Sequence, residues 1–143
     1  RGEVAGRWPG QLPRLAPEVR RMRRTRGQVE AEISKALVKF EREYMGRGPE
    51  DIRTFILRDM ILIRLRGILT PAERQLVKAE GVDLIKQVRA KLLESGRDLV
   101  CKAIGDVIGA EVVSMHSDLS TKTGERVILL CMDRDLEAAF PRE

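Results

Sequence analysis

Aromatic side chains make up only 3% of this sequence, histidine occurs once, cysteine twice and asparagine not at all. Each shortage excludes something. With so few rings, a core must be assembled from Leu, Ile and Val. The single histidine, His116, has no cysteine or second histidine at ligand spacing, so no metal motif is formed. Cys101 and Cys131 stand apart in the chain without a metal or redox spacing, and both read as buried thiols of a reducing cytoplasm. The lack of asparagine fits heat adaptation and codon bias equally well. The apolar runs around Ile61 and from Val127 to Met132 fall far short of the roughly 20 residues that span a bilayer. No charged, apolar and small succession marks a signal peptide. The expectation is a soluble cytoplasmic chain without membrane insertion, cofactor or catalytic signature.

What is present is charge, unevenly spread. The 143 residues carry a formal +5, yet residues 1–26 hold eight arginines against two glutamates, so the remainder sums to −1. Residues 1–25 mix Gly, Pro and Arg without periodicity and read as a flexible arm, and residues 26–143 as one domain. Arg20, Arg21, Arg23 and Arg24 in that arm are either a solvated flank of the first helix or a contact for nucleic acid, anionic lipid or an acidic partner. No aromatic residues interleave with them, so a single strand would find no stacking platform.

Thr25-Arg26-Gly27-Gln28 is a capping box that opens a helix with apolar Val29, Ile33, Leu37, Phe40 and Tyr44. Its carboxylates Glu30, Glu32, Glu41 and Glu43 read as an ordinary solvated face. Gly46-Arg47-Gly48-Pro49 stops it, and Arg47 there either faces an anion or is incidental to a helix terminator. Ile52 to Leu57 and the segment ending at Ile68 form a hairpin with a turn near Arg58 and Asp59. In it Ile61, Ile63 and Leu65 take one face and Leu62, Arg64 and Arg66 the other.

Thr70-Pro71-Ala72-Glu73 is a second capping box, and the stretch it opens reaches Ile108 with an apolar stripe at Val77, Leu84, Ile85, Val88, Leu92, Leu99, Ala103 and Val107. Unbroken, such a helix would run roughly 57 Å at about 1.5 Å per residue. A break is expected near Gly81, with Ser95-Gly96 and Gly105 as weaker points, together with a homodimer. Glu111 to Leu119 and Arg126 to Met132 form a second hairpin around Ser120 to Glu125, and Asp135 to Phe140 a last helical turn. Helix, hairpin, helix, hairpin is an α+β order. Its simplest packing is a two-layer sandwich, a four-stranded, mostly antiparallel sheet with helices on one face. The other face would carry Arg64, Arg66, His116 and Asp118 among apolar neighbours, which suits an oligomer or a partner.

Two spacings bear on chemistry. His116 and Asp118 lie two apart on a strand, share a face and are placed to pair. Thr121-Lys122-Thr123-Gly124 has the composition of a phosphate loop but lacks the required spacing and lies between strands, so it reads as a turn. Arg64, His116, Asp118 and Thr123 are the candidate ligand-binding residues.

The segments Gly27 to Ile33, Tyr44 to Pro49, Leu69 to Glu73, His116 to Asp118 and Ser120 to Arg126 together resemble the MpsC-like family of small bacterial proteins, over about residues 26–135. That resemblance implies association with a sodium-translocating, membrane-potential-generating system and supplies no catalytic residues. It implies a soluble, non-enzymatic accessory or regulatory subunit that acts with a membrane cation-translocating complex. Two readings compete with it. One is a nucleic-acid-associated protein using the arginine arm; the other is a small-molecule-binding protein or enzyme on the His116/Asp118 face.

Overall fold

The computed structural model describes residues 24–142. Thr25 caps the first helix as its sequence requires, accepting from Gln28 N at 3.2 Å while Gln28 Oε1 accepts from Thr25 N at 2.9 Å. Helix α1 (Arg26–Phe40) buries Val29, Ile33, Leu37 and Phe40 along one stripe. Beyond Phe40 the chain widens into a π-helical turn, Glu41–Met45, before Gly46 ends it with φ +96°. The sequence reading put Glu41 on the solvated face. Glu41 instead continues the buried stripe, four residues beyond Leu37, and is 1% exposed.

Strands β1 (Asp51–Leu57) and β2 (Met60–Arg66) are joined by Arg58 and Asp59 alone, with Leu57 paired to Met60. Strands β3 (Val112–Ser120) and β4 (Glu125–Met132) form the second hairpin, and β4 also pairs with β2. The result is one antiparallel sheet in the order β1-β2-β4-β3. The expected α+β fold is therefore the one seen. Every buried strand residue lies on a single face: Ile56, Ile61, Ile63, Leu65, Ile128, Leu130, Met132 and Leu119 are apolar, and Thr54 and Arg126 join them. A short helix, α5 (Leu136–Ala139), capped by Asp135, closes the chain against the β1 end of the sheet.

Between the hairpins the long helical stretch breaks twice. Helix α2 (Pro71–Lys78) ends before Gly81, as expected, but α3 (Val82–Ser95) and α4 (Arg97–Ile108) are separated again at Gly96. The glycine at the second break has a steric reason. A Cβ on Gly96 would lie 2.7 Å from Phe40 Cζ and 2.9 Å from Tyr44 Cε2, two rings stacked with centroids 5.1 Å apart. Tyr44 further holds the site through its hydroxyl, 2.6 Å from Ser95 Oγ.

The inward stripe also differs from the sequence reading. Leu84, Val88, Leu92 and Leu99 are exposed, and the buried positions are Ile85, Arg89, Leu93, Val100, Ile104 and Ile108, mostly one residue further along. The all-apolar stripe looked inward-facing because the true stripe contains an arginine. Helix α2 has no fully buried residue and touches the core only through half-buried Val77.

Replacing Gly96 with alanine should therefore overpack the Phe40–Tyr44 contact and destabilise the fold by about 1–3 kcal/mol. Gly27→Ala, where an added Cβ meets nothing within 4 Å, should stabilise α1 by about 0.4–1 kcal/mol. Urea denaturation of the two variants separates them, and a neutral Gly96→Ala would contradict the steric account of that glycine.

Candidate functional site

Arginine at an inward position must find partners, and two of them do so together. Arg126 follows the same two-residue alternation as Ile128 and Leu130, so the pleat turns it beneath the helices, where it is 2% exposed. Arg89 sits four residues from both Ile85 and Leu93 and faces it from α3. Arg126 Nη2 donates to the Arg89 carbonyl at 3.1 Å. Arg89 donates through Nε and Nη2 to both oxygens of Glu73, at 3.0 and 2.6 Å, and to the Ile68 carbonyl at 2.8 Å. Glu41 Oε2 lies 3.7 Å from Arg126 Nη1, and among the described residues neither atom has a hydrogen-bond partner.

Burial dominates both members of that last pair: it pushes the Glu41 carboxyl up, with Arg126 and Arg89 opposing it, and the Arg126 guanidinium down, with Glu41 opposing. Glu73 behaves differently. Burial would raise it, but hydrogen bonds from Arg89 and Thr70 together outweigh that and hold it below its ordinary value. The sequence reading missed all three of Glu41, Arg89 and Arg126. The two arginines were discoverable from parity, since each sits in step with buried neighbours on its own element.

Arg74 and Glu125, the chain neighbours of Glu73 and Arg126, line a cleft of about 730 Å³. One wall is the end of β2, with Arg64 and Arg66; another is α2, with Arg74 and Lys78; the third is the turn Thr121 to Gly124. Arg64 and Arg66 share Glu125, the former in direct contact and the latter at 3.7 Å. The Arg64 hydrogen bond is the main reason Glu125 is held below the usual carboxylate range. Thr123 donates its N–H to Ser120 Oγ at 3.2 Å and accepts from Glu125 N at 3.3 Å through Oγ1.

Of the sequence candidates, then, Arg64 and Thr123 share this cleft, whereas His116 and Asp118 lie elsewhere. In the register Arg64 pairs with Val127 and Val127 with Asp118, so both flank one β4 residue on the outward face, but their side chains diverge. Asp118 reaches round the sheet edge to Lys86 at 3.4 Å and accepts from Leu119 N at 2.8 Å; these contacts lower its pKa, the backbone bond most. His116 Nε2 lies 3.2 Å from Ser114 Oγ. The expected His116–Asp118 pair is not formed, because β3 is an edge strand and the helix alongside offers Asp118 a cation.

Arg47 donates to the carbonyls of Gly67 and Leu69 at 3.2 and 3.3 Å, and so braces the cleft's back wall. Arg24 donates to the Val107 carbonyl at 2.6 Å, contacts Glu32 and lies over the Phe140 ring at 5.7 Å. Arg20, Arg21 and Arg23 lie outside the described residues. Neither cysteine is fully buried as expected: both are half-buried, Cys131 on the outward face of β4 because its parity opposes that of Leu130. Burial pushes the Cys101 thiol up.

Among the described residues no group of three or more His, Cys, Asp or Glu is placed to hold a metal ion. Among them, too, no helix is long and apolar enough to cross a membrane.

The family described as "Na+-translocating membrane potential-generating system (MpsC)" matches residues 25–134. The chain is also similar to two Bacillus subtilis proteins. With YbcI, an "uncharacterized protein", it shares 45% identity over 117 residues, covering 81% of this chain and 94% of that protein. With YrhF, also an "uncharacterized protein", it shares 26% over 111 residues, covering 74% and 88%. No solved structure matches.

Because Glu73 is held low, its ion pair contributes stability above the ordinary carboxylate value, about 4.3, and that contribution is lost as pH falls through the lower folded value. Unfolding free energy measured from pH 7 downward should fall in that window, and Glu73→Gln should flatten the fall while lowering stability at pH 7. An unchanged acid limb in Glu73→Gln would contradict the assignment.

Proposed function

The chain belongs to the MpsC family, and on that footing we propose that it is a non-enzymatic accessory or regulatory subunit of a membrane cation-translocating system, acting at the cytoplasmic face as a homodimer. The observation that carries this reading is the pair of apolar faces the fold leaves uncovered. On α3 and α4, Leu84, Val88, Leu92 and Leu99 stay exposed at helical spacing. On the outward face of the sheet, Phe55 and Leu57 are 42% and 43% exposed and continue into half-buried Leu62, Val127 and Leu129. Isolated exposed leucines are common, but a row on each layer suits chains that are covered by other chains.

In this reading the α3 stripe receives a second copy. An antiparallel, two-fold pairing centred on Val88 sets Leu84 of one protomer against Leu92 of the other. Closing the remaining exposure of each leucine is worth about 1–2 kcal/mol. The sheet face, remote from α3 and rimmed by Arg53, Arg64 and Arg66, stays free for the membrane complex. Such a role requires no catalysis: the chain would bias the complex by binding one of its states more tightly.

Leu84→Glu/Leu92→Glu is expected to yield a folded monomer where the parent chain is a dimer, read by light scattering. Deleting the gene from its host should lower the sodium-dependent membrane potential reported by a voltage-sensitive dye, with restoration by the parent chain but not by Phe55→Asp/Leu57→Asp. A potential unaffected by deletion, with no membrane protein recovered alongside the tagged chain, would contradict the reading.

A further inference from the structure

We propose that the cleft between β2, α2 and the Thr121–Gly124 turn binds a phosphate-bearing anion. Its walls supply five cations, Arg64, Arg66, Arg74, Lys78 and Lys122, against the carboxylates Glu50 and Glu125, an excess of three positive charges in one concavity. The carboxylates are already shared. Glu125 lies between Arg64 and Arg66, and Glu50 lies 3.7 Å from Arg74 and 4.0 Å from Arg47. Lys78 and Lys122 have no ion pair among the described residues, so two full charges from opposite walls meet the cleft uncompensated. A solvated basic face would spread such charges over a convex surface. Here the fold gathers them around a hollow of ligand size.

The frame of the cleft is fixed before any ligand arrives. Ile68 N donates to the Gly124 carbonyl at 3.2 Å, which ties the β2–α2 connection to the second hairpin's turn. Arg47 holds two carbonyls of the same connection from behind. Gly67 takes φ +66°, and a Cβ there would lie 2.4 Å from the carboxyl carbon of Glu50, so only glycine lets that carboxylate lie across the connection. A frame held in this way reduces the ordering cost of binding. Thr123 Oγ1 accepts one hydrogen bond and keeps its O–H to donate.

The chemistry of the walls selects the ligand. Planar guanidinium groups on one side and ammonium groups on the other suit tetrahedral, multiply charged oxygens, each met by more than one cation. A lone carboxylate would leave most of these donors unused. The phosphate can belong to a free molecule or to a lipid headgroup, and both present the same charged oxygens.

The test uses the full chain at low salt in two arms, calorimetric titration with inorganic triphosphate and flotation with phosphatidylglycerol vesicles. Lys78→Glu/Lys122→Glu reverses the two unpaired charges. Lys102→Glu, on α4 and paired with Asp106 at 2.9 Å, is the control, and thermal unfolding verifies that each variant is folded. The arginine-rich residues 1–23 are common to all variants, so a difference among them reports the cleft. The parent chain should bind in at least one arm, and the double reversal should weaken that binding tenfold or more while the control stays within twofold. A response in the triphosphate arm identifies a free ligand, and one in the vesicle arm a headgroup. Lys78→Gln/Lys122→Gln, which removes charge without reversing it, should give a smaller loss in the same arm. Failure of the parent chain to bind either probe, or equal binding by the parent and the double reversal, would overturn the proposal.

Discussion

Two arginines under the sheet decide how this chain packs. Arg126 is placed inward by the pleat of β4 and Arg89 by the turn of α3, and each is buried almost completely. A buried guanidinium is tolerated only with partners, because removing it from water costs far more than one hydrogen bond returns. The partners come from four places: the π turn after α1 gives Glu41, the first turn of α2 gives Glu73, the β2–α2 connection gives the Ile68 carbonyl, and α3 gives its own Arg89 carbonyl. The relay thus joins the sheet to three separate helical segments. It specifies their mutual register more sharply than interchangeable Leu and Ile contacts do.

That constraint carries through to the surface. With Arg89 turned in, α3 turns Leu84, Val88 and Leu92 out, so an exposed apolar row accompanies a charged residue in the core. The same hydrogen bonds hold α2 at its first turn, although α2 has no fully buried residue of its own. Helix α2 is one wall of the basic cleft, and the relay supports that wall from inside. Charge inside the fold and charge in the cleft are therefore linked: Arg89 anchors Glu73, and on the same helix Arg74, the next residue, and Lys78, just over a turn further along, line the cleft.

Much of the fold was legible because its local signals agree with one another. The Thr25 and Thr70 capping boxes, the glycine stop at residue 46 and the alternation of Ile61, Ile63 and Leu65 each act over a few residues, and each is found as read. What escaped the sequence depends on distance. A search for apolar stripes rejects the inward face of α3 because Arg89 interrupts it, and nothing near residue 89 announces that Glu73 and the Ile68 carbonyl will receive it. Glu41 escapes for a related reason: it lies four residues after Leu37 on the buried stripe, but a carboxylate there is taken for part of the solvated face until Arg126 is seen opposite it. The candidate site divided along the same line. Arg64 and Thr123 converge because two hairpin ends meet, whereas the His116–Asp118 pair was read from strand parity alone and yields to Lys86, which only tertiary packing brings near.

The buried arginine relay acts as one unit, and a double-mutant cycle on its least satisfied link measures that directly. Arg126→Met alone leaves Glu41 buried without its counter-charge and should lower unfolding free energy by about 3–5 kcal/mol. Glu41→Leu made in the Arg126→Met background should recover most of the loss, since the pair is then replaced by apolar groups of similar size. Losses that simply add in the double variant would show that the two side chains do not depend on each other, and would contradict the account.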